Sequence, residues 1–132
     1  MFSRFSPASK RVLHAAEQEC RNRNHYYVGV EHILVSLLEE RDPLLEERLT
    51  ALGIHPEQAY SELREALGTG EDHLWDGILV TPRLRAVVEL AGKIAGLGLL
   101  EPPHLLQAIL DEGGGSAAEL LVRLGAQARR KD

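Results

Sequence analysis

Val28-Gly29-Val30-Glu31-His32-Ile33-Leu34-Val35-Ser36-Leu37-Leu38 and Leu100-Glu101-Pro102-Pro103-His104-Leu105-Leu106-Gln107-Ala108-Ile109-Leu110 are two copies of one pattern. Each has a turn-like opening, a histidine near a helix start, and apolar residues at three- and four-residue steps. That step is the periodicity of an amphipathic helix. The first copy keeps a carboxylate, Glu31, just before its histidine; the second has Pro103 there.

The duplication extends outward in both directions. Ser6-Pro7 reads as a helix start, with the serine as N-cap and the proline at N1, where no donor is needed. Thr81-Pro82 repeats it. Val87, Val88, Ala91 and Ala95 then follow Val12, Leu13, Ala16 and Cys20 at a spacing of 75 residues. From His104 onward the spacing is 72, pairing Leu34 with Leu106, Leu49 with Leu121, Leu52 with Leu124 and Gly53 with Gly125. The deletion falls in a connection, where length changes are tolerated. Asp42-Pro43 and His55-Pro56 open two further helices, and Gly53 and Gly68 read as terminators. Ser116 with Glu119 matches a capping box. Only seven residues follow Gly125, so the last helix of the second copy is expected to be cut short. The expected fold is all-α: two pseudo-repeats of about four helices, about residues 5–68 and 80–132, packed as one domain spanning 1–132. Residues 69–79, rich in Gly, Asp and Glu, read as a linker that Leu74, Trp75, Ile78 and Leu79 could pin to a helical surface.

Composition narrows the function. With 44% apolar and 27% charged residues, 132 residues suffice for one hydrophobic core. A net charge of −5 argues against nucleic acid as a partner. The single cysteine excludes an internal disulfide and suits a reducing cytoplasm. The Met1-Phe2-Ser3-Arg4 start carries no long apolar segment, and no run of about 18 apolar residues exists, so neither a secretory leader nor a membrane span is expected.

No catalytic constellation stands out. Gly113-Gly114-Gly115-Ser116 lacks the lysine of a phosphate-binding loop and follows a helix, not a strand. Glu31-His32 is followed by Ser36 where a zinc-binding helix would need its second histidine. His14, His25, His32, His55, His73 and His104 show no ligand spacing. His32 and His104 are better read as rings bonded to a backbone group near a helix start. Cys20 lies on an apolar stripe, and Ser36 has no glycine elbow. Arg129-Arg130-Lys131 is too short a basic run for nucleic acid. No metal, catalytic residue or cofactor is assigned to this chain.

Taken together, Met1-Phe2-Ser3-Arg4-Phe5-Ser6, Gly29-Val30-Glu31-His32-Ile33-Leu34, the leucine run after it and Val80-Thr81-Pro82-Arg83 resemble the amino-terminal repeat domain of the Clp-family AAA+ unfoldases. The likeness is greatest to the ClpC branch, whose motif usually reads G-T-E-H-I-L. The resemblance implies a non-catalytic domain that captures substrate and adaptor proteins for ATPase modules of the same parent chain and, indirectly, a Clp peptidase. ATP and magnesium would belong to those modules. It also implies binding of phosphorylated arginine. Carried over by position, the site residues are Arg4, Phe5, Ser6 and Glu31, with Thr81 as the second hydroxyl and Arg83 or Arg85 as its charge. Pro103 removes the second carboxylate, and Pro102-Pro103 direct Glu101 unfavourably, so one competent pocket is expected. Two alternatives stay open: a stand-alone regulator of the same fold, and a small metal-dependent hydrolase built on scattered histidines.

Overall fold

A computed structural model describes residues 2–25, 27–69 and 79–130, without the side chains of 128–130. The described helices are α1 (Pro7–Asn22), α2 (Val30–Glu40), α3 (Pro43–Ala51), α4 (Pro56–Leu67), α5 (Pro82–Ala95), α6 (Pro102–Glu112) and α7 (Gly115–Arg130). Five of them begin with proline, which supplies a helical φ and no orphan donor. Ser6 and Thr81 cap α1 and α5 alike: the Ser9 amide donates to Ser6 Oγ at 3.1 Å and the Leu84 amide to Thr81 Oγ1 at 3.2 Å. Most of the linker, residues 70–78 with Trp75, lies outside the described residues.

Helix α2 is the centre of the packing. Every residue from Val30 to Leu38 except Glu31 is buried, and α1, α4, α5, α6 and α7 all pack on it. Ile33, Leu34 and Leu37 meet Leu105, Leu106 and Ile109 of its counterpart α6 in one core, joined by Leu45, Leu49, Leu63, Leu84 and Leu121. Each such side chain contributes about 1.5–3 kcal/mol by leaving water. Cys20 is in this core, and burial pushes its thiol up to about 12, which leaves it protonated and unreactive.

The two short strands, β1 (Tyr27–Val28) and β2 (Leu79–Val80), pair in parallel, with Val28 opposite Val80. Phe5 and Leu100 form the equivalent parallel bridge. The opening of each repeat is thus stitched to the start of the other repeat's second helix, and the two copies exchange partners.

The repeats end differently. After α3, Gly53 adopts φ 76° and donates to Thr50 O at 3.0 Å, while Ile54 donates to Leu49 O at 2.9 Å. This is the Schellman pattern that ends a helix, and Pro56 then starts α4. In the second copy Gly125 terminates nothing: α7 runs on to Arg130. Ala126 and Ala128 stand where Ile54 and Pro56 stand in the first copy, and good helix formers extend the existing helix. The residues left for a fourth helix lengthen the third. The expected Ser116–Glu119 capping box does not start α7 either. The helix begins two residues earlier than that cap would start it, at Gly115 with φ 82°, so Ser116 sits inside the first turn.

Both helix-start histidines act as acceptors. His32 Nδ1 receives the Gly29 N–H at 2.9 Å, and His104 Nδ1 receives the Glu101 N–H at 2.9 Å. Each ring does what glutamate does at N3 of a capping box. His32 alone goes further: its Nε2 lies 2.7 Å from Nδ1 of the buried His25. Since Nδ1 of His32 accepts, its Nε2 carries the hydrogen and donates to His25, so both rings are neutral. Burial, then the neighbouring His25, pushes His32 down to about 4; the carboxylates of Glu31 and Glu19 pull weakly the other way. Burial and the Arg23 guanidinium also lower His25. A histidine held neutral in the fold takes its proton first in the unfolded chain. Stability is therefore full above about pH 6.5 and is lost as pH falls towards about 4, by up to about 3 kcal/mol. Urea unfolding between pH 7.5 and 4.5 should show this loss. His32→Gln, which keeps an acceptor but cannot titrate, should flatten it.

Candidate recognition site

The exchange of partners sorts the candidate residues into two groups. The Ser6 amide donates to Leu100 O at 3.0 Å, and the Thr81 amide to Val28 O at 3.1 Å. Ser6 therefore lies beside the start of α6, and Thr81 beside the start of α2, where Glu31 is. Glu31 and Thr81 share a face; Ser6 is on another.

Arg4, Phe5 and Ser6 are engaged in holding the repeats together. The Arg4 guanidinium donates to Gly92 O at 3.4 Å, to Gly98 O at 2.6 Å and to Gly96 O, closing the carbonyl end of α5 where a cation complements the dipole. Phe5 is 3% exposed and stacks edge-to-face on Phe2 with centroids 5.1 Å apart. Ser6 is 1% exposed, its Oγ committed to the Ser9 amide and to Ser9 Oγ at 3.2 Å. Ser9 Oγ in turn donates to Leu100 O at 2.7 Å. None of these three side chains presents an open polar group on the face of Glu31.

Glu31 sits where three helix starts meet. Its Oε1 accepts from Ser116 Oγ in the first turn of α7 at 2.8 Å. A methyl group placed on Gly29 would lie 3.1 Å from Glu31 Oε2 and 3.5 Å from Thr81 Cγ2, which locates the N-caps of α2 and α5 beside the carboxylate. Arg83, in the first turn of α5, lies across Gly114 and Gly115. A methyl on Gly114 would come within 2.5 Å of its Nη1. Arg83 is half-exposed and faces Glu112 at 3.9 Å, whose other oxygen accepts from the Gly114 amide at 3.1 Å. The guanidinium lies in the space that side chains at Gly114 and Gly115 would fill, and Gly115 is favoured in addition by its φ of 82°.

The grouping offers opposite charges side by side. Glu31 can accept from a cationic fork, and Arg83, Ser116 and the amide ends of three helices can face an anion. Sequence reasoning read Ser116 only as a helix cap and did not place it, or the α7 start, in the site. The feature that accompanies it in the sequence is Gly113-Gly114-Gly115, a run without side chains that leaves room for Arg83. Among the described residues, no three His, Cys, Asp or Glu side chains converge as a metal would require, and no helix is long and apolar enough to cross a membrane.

Comparison with known proteins agrees with this architecture. The family "Clp repeat (R) N-terminal domain" matches residues 4–97. The chaperone protein ClpC of pea chloroplasts (Pisum sativum) is 35% identical over 129 residues, which is 96% of this chain and 14% of that protein. The negative regulator of genetic competence ClpC/MecB of Bacillus subtilis is 33% identical over 128 residues, covering 95% of this chain and 16% of that protein. The chain thus spans about one-sixth or less of these relatives. The crystal structure of the N-terminal domain of ClpD from Arabidopsis thaliana superposes with a TM-score of 0.67 at 21% identity, covering 99% of each chain, and shares the fold. With its family match, its doubled helix starts and its all-α fold, the chain belongs to the Clp repeat N-terminal domain family, as found in ClpC- and ClpA-type chaperones.

Proposed function

We propose that this chain is a non-catalytic recognition domain that receives substrate and adaptor proteins for a Clp-type ATPase and, through it, a peptidase in the cytoplasm. The observation that carries this reading is Glu31, a half-buried carboxylate at the junction of three helix starts with Arg83 and Ser116 around it. Such a site suits a ligand bearing a cation and an anion on one side chain, as phosphorylated arginine does. Glu31 would take the guanidinium in fork geometry. Arg83, Ser116 and the amides at the α5 and α7 starts would take the phosphoryl group. Thr81, whose oxygen already caps α5, shapes the site rather than binding. Arg4, Phe5 and Ser6 hold the fold from the other side.

Titration calorimetry with a phosphoarginine peptide should give one site per chain, and the same peptide with plain arginine should bind more weakly. Glu31→Ala should abolish the signal, since a charge-assisted bond of about 1.5–3 kcal/mol corresponds to about 10- to 150-fold in affinity. Two equal sites, or none, would sink the reading. Arg4→Met should separate the two groups of residues: it should lower stability by about 1 kcal/mol through loss of the α5 carbonyl contacts and leave the titration unchanged. Chemical denaturation and calorimetry on the same sample read both.

A further inference from the structure

The packing of α7 on the start of α2 has a pseudo-symmetric twin, the packing of α3 on the start of α6. At the twin location Leu44 replaces Ser116, Pro103 replaces Glu31, and Ala8 replaces Arg83. The hydroxyl, the carboxylate and the guanidinium of one face are all apolar on the other. Leu44 is 61% exposed there, although its helix neighbours Leu45 and Leu49 are fully buried. It borders an open cleft of about 390 Å³ whose apolar walls are Leu44, Ala51 and Pro103, with Glu47, Arg48 and Glu101 among them. That volume is within the range of a ligand site of about 300–1,000 Å³.

We propose that this cleft is a second docking site, specific for a peptide that carries a large apolar side chain next to a lysine or arginine. The apolar walls select the first feature. Charge selects the second: among the described residues neither Glu47 nor Glu101 has an ion-pair partner, and Arg48 is turned to donate to the side chain of Gln107. The two carboxylates leave the cleft with a negative balance that a neighbouring cation would complement, and removal of Leu44 from water supplies the attraction between. The two pseudo-equivalent faces thereby recognise different chemistry, one a doubly charged side chain and one an apolar side chain with a basic neighbour. The proposal rests on the recognition-domain reading but makes no use of Glu31, so the two can fail separately.

Isotope-labelled protein titrated with the blocked peptide acetyl-Gly-Lys-Phe-Leu-Gly-amide tests it by NMR. Amide shifts should move around Leu44, Ala51 and Glu101, with saturation in the sub-millimolar to millimolar range. Replacing the peptide lysine by glutamine should weaken binding severalfold. Leu44→Ser, at an exposed position that folding does not depend on, should weaken it at least fivefold, and the paired change Glu47→Lys with Glu101→Lys should reverse the preference towards a glutamate-containing peptide. Glu31→Ala should change nothing here while removing the phosphoarginine signal. Shifts centred instead on the exposed Leu97 and Leu99 of the α5–α6 turn, equal affinity after Leu44→Ser, or no binding at several millimolar peptide would each overturn the assignment.

Discussion

Two backbone hydrogen bonds determine how the rest of the molecule is arranged: the Ser6 amide to the Leu100 carbonyl and the Thr81 amide to the Val28 carbonyl. Each joins the opening of one repeat to the second helix of the other. Because Ser6 and Thr81 are also N-caps, the same two residues set the direction of α1 and α5 and their attachment to the opposite copy. A free repeat would leave these strand edges unpaired and the apolar faces of α2 and α6 in water, both of which cost stability. The exchange therefore makes the two copies interdependent, and every face built at a repeat opening is composite. It also explains why Arg4 reaches the carbonyl end of α5 rather than a neighbour in its own repeat.

A second shared device, the histidine that accepts the N-cap amide, shows how one motif acquires two behaviours. At His104 the ring is partly exposed and only caps α6. At His32 the ring is fully buried, and its free nitrogen needs a partner, which His25 provides. The burial that tightens the central helix makes this cap sensitive to acid. The first repeat therefore carries an acid-sensitive cap next to the face where Glu31 lies.

The elements with local causes were legible in the chain. Ser6-Pro7, Thr81-Pro82, Asp42-Pro43 and His55-Pro56 mark helix starts through the chemistry of caps and prolines, and Gly53 marks an end because only its φ permits the Schellman bonds. What depended on distant partners was not legible. A two-residue strand has no period to detect, so nothing in the sequence said that Ser6 would meet Leu100 and not Glu31. Grouping by repeat therefore set Ser6 beside Glu31, while the fold sets Thr81 there. Ser116 satisfied the spacing of a capping box, yet Gly115 could begin the helix two residues sooner and free the hydroxyl for Glu31. Gly125 matched Gly53 in position but lacked a following proline, and local context, not the glycine, decided whether the helix ended.

The core and the surface of the duplicated unit obey different constraints. Val12 with Val87, Ala16 with Ala91, Leu49 with Leu121 and Leu34 with Leu106 are identical in the two copies and buried in both, since close packing penalises a change of even one methylene. Glu31 with Pro103, Ser116 with Leu44 and Arg83 with Ala8 differ completely, and all lie at the outward junction of helix starts. Nothing in the core depends on those side chains, so their chemistry can diverge while the scaffold stays the same. Both junctions are positioned by backbone pairing and capped helix ends rather than by loops, which fixes the surrounding groups before any ligand arrives. A client that engaged the charged face and the apolar face together would gain by effective concentration, without any change in either site. If both faces bind as proposed, the asymmetry between the copies would add to binding capacity while the symmetry of the core holds both faces in place.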